Sequence, residues 1–148
     1  MEATAWRAVA AVPVVFTNGV FDLLHAGHVA LLEQSALLGG SLIVAINSDL
    51  SARGLGKGPD RPVLGEGDRS RIVAALGCVD CVVLFDETTP LALIDLLRPD
   101  VLVKGGDYRP DQVVGSELVQ QRGGRIEIIA LVPDRSTTRT LERLRASP

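Results

Sequence analysis

Two histidines stand three residues apart in the segment FTNGVFDLLHAGH, residues 16–28. His25 and His28 are the only histidines of the 148-residue chain, and both lie where a β-branched run gives way to a helical pattern. A helix N-terminus presents unpaired N–H groups and positive potential, so imidazoles placed there point donors at an anion such as a phosphate. The alternative is one capping histidine and one surface histidine. Because both converge on one turn, we favour a phosphate-binding site.

Two glycine-containing turns have the backbone freedom that close approach to a ligand requires. Asn18 and Gly19 follow the first strand-like run, and Gly19 has no side chain to obstruct a ligand. The segment KGGD, which begins at Lys104, follows a later run. There Gly105 permits the same approach, and the Asp107 carboxylate is suited to accept hydrogen bonds from ribose hydroxyls. A simple turn is the alternative at this second position.

Three hydroxyl side chains, Ser136, Thr137 and Thr138, lie at the start of the last helical pattern, TRTLERLR. Ser and Thr are favoured helix N-caps, so a cap alone would account for them. If the fold brings this helix to the same rim as the histidines, its first turn also makes a second phosphate-binding helix terminus.

The chain uses lysine at two positions only. Of its 15 basic residues 13 are arginines, and the others are Lys57 and Lys104. Lys57 lies in the longest loop, residues 47–67, whose glycine, proline and charged residues predict a mobile segment that covers a substrate. A compact ammonium on a flexible stem can follow a phosphate group through a displacement. A solvated loop lysine is the alternative reading of Lys57.

Alternating strand-like and helix-like segments must position these residues. Fully apolar strands between helices predict an open, doubly wound α/β domain with a five-stranded parallel sheet, formed by residues 1–148 as one domain. Ligands bind such sheets beyond the C-terminal ends of the strands, where the loops 17–28, 47–61, 104–108 and 133–138 would meet. The predicted strands are 12–16, 42–46, 81–85, 101–104 and 126–131, and the predicted helices are 29–37, 68–76, 88–97, 111–122 and one from about residue 137.

Composition narrows the class of protein. With 47% apolar residues the chain can bury a core, and its net charge of −3 argues against a nucleic-acid surface. No window approaches the roughly 20 apolar residues of a membrane span, and no cleavage site follows the apolar N-terminal run, so we expect a cytoplasmic protein without a signal peptide. Cys78 and Cys81 have no second pair, which favours small buried hydrophobes over a redox or metal site.

Several motifs, taken in order, are similar to those of one family. HAGH, residues 25–28, matches the H-x-G-H signature of the nucleotidyltransferase superfamily that includes the cytidylyltransferases. The wider set of FTNGVFDLLHAGHVALLEQSALLG, LIVAINSD, KGPDRPV, LRPDVLVKGGDY and STT extends across nearly the whole chain. In this set the chain resembles the D-glycero-β-D-manno-heptose 1-phosphate adenylyltransferases, in the form that has no fused sugar kinase domain.

That resemblance implies transfer of AMP from ATP to a sugar 1-phosphate, with release of pyrophosphate and no covalent enzyme intermediate. No acidic metal-binding motif stands out, so Mg²⁺ would arrive on the ATP. The resemblance also implies a homodimer. By motif matching, the resemblance implies that the catalytic residues are His25, His28 and Lys57. The residues that would bind the nucleotide are Thr17, Asn18, Gly19, Phe21, His25, His28, Lys104, Gly105, Asp107, Ser136, Thr137 and Thr138. The residues that would bind the sugar phosphate substrate are Asp22, Arg61 and Arg69.

Two other functions stay open at this point. One is a cytidylyltransferase acting on glycerol 3-phosphate or a similar alcohol phosphate, which would show a fuller Arg-Thr-Glu-Gly-Ile lead-in where this chain has PDRSTT. The other is a nucleotide-binding regulatory module without catalysis, because a doubly wound domain alone does not imply chemistry. The histidine pair and the STT segment favour an enzyme.

Overall fold

The computed structural model describes residues 3–56, 58–131 and 137–146. Five strands form one sheet: Val14–Gly19 (β1), Ser41–Asn47 (β2), Cys81–Phe85 (β3), Val101–Gly105 (β4) and Arg125–Ile129 (β5). The helices are Ala3–Val9 (α1), Ala26–Ala36 (α2), Asp49–Gly54 (α3), Glu66–Ala74 (α4), Leu91–Leu97 (α5), Ser116–Gln121 (α6) and Thr137–Ala146 (α7). A short 3₁₀ turn covers Pro110–Gln112.

The sheet confirms the predicted doubly wound architecture. Its strand order is β3-β2-β1-β4-β5, and every neighbouring pair is parallel. The chain builds outward from β1 to β3 and then crosses back to place β4 on the other side of β1. The order therefore reverses between β1 and β4, and this is where a ligand crevice is expected at the C-terminal ends of the strands.

Alternate residues of the central strands supply two separate cores. Val15 is fully buried on the face that α2 and α4 cover, while Val14 and Phe16 are fully buried on the face of α1, α5 and α6. Because both faces are covered, the strands read as unbroken apolar runs rather than as alternating ones. Cys78 packs against the first core and Cys81 against the second, so the two thiols belong to different layers.

Two aspartates that precede strands fix the starts of their neighbours. Asp80 accepts a hydrogen bond from the Leu42 N–H at 2.7 Å, and Asp100 accepts one from the Val14 N–H at the same distance. Arg7 of α1 lies 3.5 Å from the Asp100 carboxylate and donates to the C-terminal carbonyls of α5. These contacts hold the end of the sheet opposite the ligand crevice.

The structure differs from the sequence prediction at several boundaries. Helix α5 begins at Leu91 rather than at residue 88, and β1 extends to Gly19, so Asn18 and Gly19 end that strand instead of following it. The apolar N-terminal run begins with α1, and β1 starts at residue 14 rather than at 12. The predicted helix 111–122 is divided, because Gly115 adopts a φ of +87° between the 3₁₀ turn and α6. The long loop contains α3, whose N-cap Ser48 accepts a hydrogen bond from the Ser51 N–H.

Among the described ranges, no helix is long and apolar enough to cross a membrane.

Candidate active site

The loop between β1 and α2 follows an unusual backbone path. Phe21 and Leu23 have φ values of +52° and +48°, in the left-handed region that side chains other than glycine rarely adopt. A Cβ added at Gly19 would lie 3.2 Å from the Phe21 ring, so this position favours glycine. Strained loops of this kind concentrate at functional sites, and here the loop delivers His25 to the start of α2.

The two imidazoles form a pair whose hydrogen bonds define their tautomers. His25 is the N-cap of α2, and its Nδ1 accepts from the Gly27 N–H at 3.1 Å. The His25 N–H in turn donates to Nδ1 of His28 at 3.4 Å. Because both Nδ1 atoms are acceptors, each neutral ring carries its proton on Nε2. In this neutral form each ring carries its N–H donor at Nε2, a group suited to an anion at a helix N-terminus.

These rings border a cavity of about 510 Å³ at the C-terminal end of the sheet, which we call the histidine cavity. Its floor is apolar, formed by Leu31 and Leu131. The predicted site residues that line it are Asn18, Gly19, Phe21, Asp22, His25, His28, Arg61, Lys104, Gly105, Thr137 and Thr138. The fold thus brings most of the residues selected by sequence to one place, from four separate segments.

A second cavity of about 270 Å³ opens beside the first, and we call it the threonine cavity. The two cavities share Asn18, Gly19, Val20 and Lys104, which lie at the ends of β1 and β4. The further lining combines hydroxyl and amide groups, from Thr88, Thr89, Tyr108, Gln112 and Asn47, with the apolar residues Leu55, Pro90, Val113 and Val114. The crevice therefore has two compartments that meet where the strand order reverses.

Most residues of the threonine cavity were missed by sequence reasoning. Thr88 and Thr89, which the sequence placed at the start of the predicted helix 88–97, are exposed loop residues between β3 and α5. The available signal was their position, directly after a buried strand and therefore at the ligand-binding rim. Lys104 was selected, and its Nζ lies 5.7 Å from the centre of the Tyr108 ring, within reach of a cation–π interaction.

A chain of buried hydrogen bonds fixes the segment that bears the two threonines. Asn47 donates from Nδ2 to the Ser51 hydroxyl at 3.0 Å, and Ser51 donates to the Glu87 carbonyl at 2.7 Å. The Ser48 N–H donates to the carbonyl of Phe85 at 2.9 Å. The ends of β2 and β3 and the start of α3 are thus tied together, which places Thr88 and Thr89 at the cavity wall.

Asp22 lines the histidine cavity, but its carboxylate is engaged within the chain. One oxygen accepts from Arg61 Nε at 2.7 Å and from the Val63 N–H at 2.9 Å, and the other accepts from the Leu64 N–H at 3.0 Å. Burial by itself raises the pKa of Asp22, but the N–H groups of Leu64 and Val63 and the Arg61 guanidinium outweigh it and hold that pKa below its ordinary value. Asp22 is therefore ionised at neutral pH.

Arg69 occupies a different place from the substrate contact that the sequence predicted. Its side chain has no exposed surface. The guanidinium donates to the carbonyls of Leu64, Val20 and Asn47 and forms an ion pair with Asp49 at 2.7 Å. In this structure Arg69 supports the walls of both cavities from behind, and its charge is matched by Asp49 and main-chain dipoles.

Two other predicted residues that the structure describes, Thr17 and Asp107, line neither cavity. Thr17 is buried in β1, where its hydroxyl donates to the Val103 carbonyl at 3.1 Å. Asp107 is exposed just beyond β4 and lines neither cavity. Lys57 and Ser136 lie outside the described residues. Within the described part of the chain, no group of three or more His, Cys, Asp or Glu side chains could hold a metal ion.

Comparisons with known proteins show which family the chain belongs to. A family model described as cytidylyltransferase-like matches residues 16–140. A bifunctional protein HldE of Syntrophotalea carbinolica is 60% identical over 131 residues, which are 88% of this chain and 26% of that protein. The HldE of Geotalea uraniireducens is 55% identical over 132 residues, 89% of this chain and 27% of its own length. The chain thus spans about a quarter of the length of these curated relatives.

Solved structures show the same fold. A lipopolysaccharide core biosynthesis protein from Thermoplasma volcanium has a TM-score of 0.64 at 30% identity, over 80% of this chain and 95% of its own. A pantothenate synthetase from Thermus thermophilus has a TM-score of 0.57 at 18% identity, over 95% of this chain and 68% of that one. The second likeness concerns the fold alone.

Proposed function

The chain is a nucleotidyltransferase of the cytidylyltransferase-like family, and from that premise we propose that it transfers AMP from ATP to a sugar 1-phosphate, D-glycero-β-D-manno-heptose 1-phosphate. The observation that carries the proposal is the pair of cavities that share the ends of β1 and β4. A transfer reaction needs two ligands whose reacting atoms meet, and two adjoining compartments with different linings suit a nucleotide and a sugar phosphate.

The histidine cavity suits the nucleotide. The N-termini of α2 and α7 both reach it, through His25 and His28 on one side and Thr137 and Thr138 on the other. Two helix termini suit a polyphosphate chain, with the two imidazoles and the Thr138 hydroxyl as side-chain donors, since the Thr137 hydroxyl donates to the Asp22 carbonyl. Leu31 and the Gly105 backbone offer an apolar surface for a flat base: a Cβ at Gly105 would lie 3.1 Å from Leu31.

The threonine cavity suits the sugar phosphate. Its hydroxyl and amide groups match the alternating donors and acceptors of a polyol, and discrimination between sugars depends on such paired hydrogen bonds. Lys104 lies on the boundary of both cavities, where a phosphate of either ligand would come. Its ammonium is suited to attract the anionic acceptor toward the nucleotide.

In the proposed reaction the acceptor phosphate oxygen attacks the α-phosphorus of Mg²⁺·ATP in line, and pyrophosphate leaves. The protein forms no covalent bond; its task is to orient two anions and to stabilise the charge that develops on the bridging and leaving oxygens. The Nε2–H groups of His25 and His28 are the donors for that charge. Mg²⁺ enters as part of the nucleotide substrate, held mainly by phosphates and water.

The test is a matrix of nucleoside triphosphates against sugar and alcohol phosphates, with pyrophosphate release as the readout. We expect ATP with a heptose 1-phosphate to give the highest kcat/KM. Faster turnover of CTP with glycerol 3-phosphate would contradict the proposal and favour the second candidate, a cytidylyltransferase, which the description of the matching family favours. Nucleotide binding without pyrophosphate release from any pair would identify a regulatory module.

We also propose that the enzyme acts in the cytoplasm as a homodimer. Its proposed substrates are cytoplasmic metabolites. The support for a dimer is the edge strand β3, where Leu84 is 43% exposed, together with α4, which contacts β3 and leaves Ile72 39% exposed. Light scattering coupled to size-exclusion chromatography distinguishes a dimer from a 15.7 kDa monomer.

A further inference from the structure

We propose that Asp22 is a positioning residue for the phosphate site, which joins the histidine loop, residues 61–64 and the first turn of α7 without itself contacting a ligand. The inference rests on the proposed function only in taking the histidine cavity as the place where a polyphosphate binds. It replaces the direct substrate contact that the sequence predicted for this side chain.

The carboxylate joins the first two of these segments. Asp22 lies on the loop that carries His25, and its side chain has no exposed surface. Its three acceptor contacts all go to residues 61–64: to Nε of Arg61 and to the main-chain N–H groups of Val63 and Leu64. Because Asp22 contacts the main chain at two consecutive residues, Val63 and Leu64, it specifies the backbone path of that segment. A contact with the flexible Arg61 side chain alone would not do so.

The main chain of the same residue joins the third segment. The Thr137 hydroxyl donates to the Asp22 carbonyl at 2.6 Å, and Thr137 is buried at the start of α7. Asp22, His25, Arg61 and Thr137 all line the histidine cavity. Asp22 therefore belongs to the histidine loop and is hydrogen-bonded to both of the other described segments outside the sheet that line this cavity with predicted site residues.

Position 22 requires an aspartate because its two carboxylate oxygens can accept all three of the hydrogen bonds that are donated to them. The two carboxylate oxygens receive three donors, one of them a guanidinium, and the Asp22 side chain has no exposed surface. An asparagine of the same shape would turn an NH₂ group toward N–H donors and lose the charge that pairs with Arg61. The segment 61–64 would then lose its attachment while the apolar cores of the sheet stay intact.

A second link between residues 58–64 and α7 provides a matched control. Asp60 forms an ion pair with Arg145 at 3.0 Å, and both side chains are largely exposed. Exposed ion pairs contribute little to stability or to geometry. Asp60→Asn is therefore the same chemical change in the same segment, at a contact that should not position the site.

The experiment compares wild type, Asp22→Asn and Asp60→Asn by calorimetric titration with inorganic tripolyphosphate and with Mg²⁺·ATP, beside hydrogen exchange of the main-chain amides. In Asp22→Asn we expect binding of both probes to weaken roughly tenfold, on the scale of a lost charged hydrogen-bond set. The Val63 and Leu64 amides should exchange faster. Asp60→Asn should bind within about twofold of wild type.

A folded Asp22→Asn protein with wild-type affinity for both probes would overturn the proposal, since the residue would then serve stability alone. If Asp22→Asn does not fold, wild type decides: tripolyphosphate should slow the exchange of the Val63 and Leu64 amides together with those of the first turn of α2. If tripolyphosphate slowed amide exchange only in the first turn of α2, residues 61–64 would not be coupled to the phosphate site, and the proposal would be overturned. Failure of the proposed function looks different, because wild type would bind tripolyphosphate yet turn over no pair of substrates.

Discussion

His25 and His28 stack with their ring centres 3.8 Å apart, and a main-chain N–H donates to Nδ1 of each ring. The backbone of one helical turn therefore orients both Nε2–H donors before a ligand arrives. Preorganised donors of this kind act on the transition state, because no reorganisation is needed when charge develops. His25 therefore has two roles, as a donor at Nε2 and as the N-cap of α2, and an alanine substitution at this position would remove both at once.

Replacing His28 by alanine should lower kcat by roughly 10²-fold or more, while the affinity for ATP weakens less. His25→Ala should lower kcat on the same scale and also the melting temperature, because the N-cap is lost at a cost of about 1 kcal/mol. His25→Asn is the matched variant: asparagine restores the cap but not the donor. Its melting temperature should return toward wild type without recovery of kcat.

Steady-state kinetics and thermal melts check both statements. If His25→Asn recovered activity along with stability, His25 would be a structural cap and nothing more. The double substitution should cost less than the product of the two single effects, because both donors serve one charge.

Lys57 lies outside the described residues, so its prediction depends on the sequence alone. Lys57→Ala should lose most of the activity while the fold stays intact, because the loop contributes little to either core. Lys57→Arg keeps the charge but imposes a planar fork, and should also lose much of the activity. The measurements are kcat and KM for both substrates with a thermal melt. Wild-type kinetics in Lys57→Ala would remove the residue from the site.

The sheet could be predicted from sequence because its strands are buried on both faces. A run such as LIVAI has one stable location in a doubly wound domain, and β2 was predicted to within one residue at each end. Short helices escaped prediction for the opposite reason. α1 and α3 have six or seven residues and depend on tertiary contacts, such as those of Arg7 with α5, that no local pattern shows.

The site was predictable in its location more than in its chemistry. Motif positions pointed to one rim of the sheet, where the structure brings most of these residues together, yet a motif does not tell whether a side chain turns toward a cavity or toward the chain. Asp22 and Arg69 both turn toward the chain, because residues 61–64 and Asp49 fold onto them from a distance in sequence. Thr88 and Thr89 were not selected because the sequence placed them in a helix, although their position after β3 was a signal; the packing of β3 beside β2 then makes them part of a cavity wall.

Two glycines with positive φ offer a test of how α6 is placed. Gly115 has a φ of +87°, and an added Cβ would lie 2.7 Å from Ile94 of α5, whereas Gly123 has a φ of +81° and open space around it. Gly123→Ala should cost about 1 kcal/mol of unfolding free energy, from backbone strain alone. Gly115→Ala should cost about 2–4 kcal/mol, because strain and overpacking add. Urea denaturation of both variants measures the two losses of unfolding free energy. Equal losses would show that the Ile94 side chain moves away from the added Cβ without an energetic cost.

The lowered pKa of Asp22 makes a prediction about acid stability. A carboxyl group whose pKa is lower in the folded than in the unfolded protein stabilises the fold above its unfolded pKa, about 3.9, and loses this contribution as pH falls through the folded pKa. Asp22→Asn should therefore be less stable than wild type at pH 7, by about 1–3 kcal/mol. The difference should shrink as the pH falls below about 4.

Urea denaturation between pH 2.5 and 7 measures this difference. Asp111→Asn is the control, since Asp111 pairs with Arg109 at an exposed position and should show almost no difference at any pH. A difference between Asp22→Asn and wild type that stayed constant down to pH 2.5 would mean that the ionised carboxylate is not the source of the stability.

The two threonines of the threonine cavity should determine how well the sugar phosphate binds. Thr88→Val and Thr89→Val each remove a hydroxyl at nearly constant volume, so a lost hydrogen bond to a sugar hydroxyl should raise KM for the acceptor by about 3- to 10-fold. KM for ATP should stay within about twofold, because neither threonine lines the histidine cavity.

Thr4→Val, on α1 at the far side of the fold, is the matched control and should change neither constant. Steady-state kinetics with each substrate varied in turn gives both values for every variant. A rise in KM for ATP with no change for the sugar phosphate would reverse the assignment of the two cavities, with the nucleotide in the compartment that the threonines line.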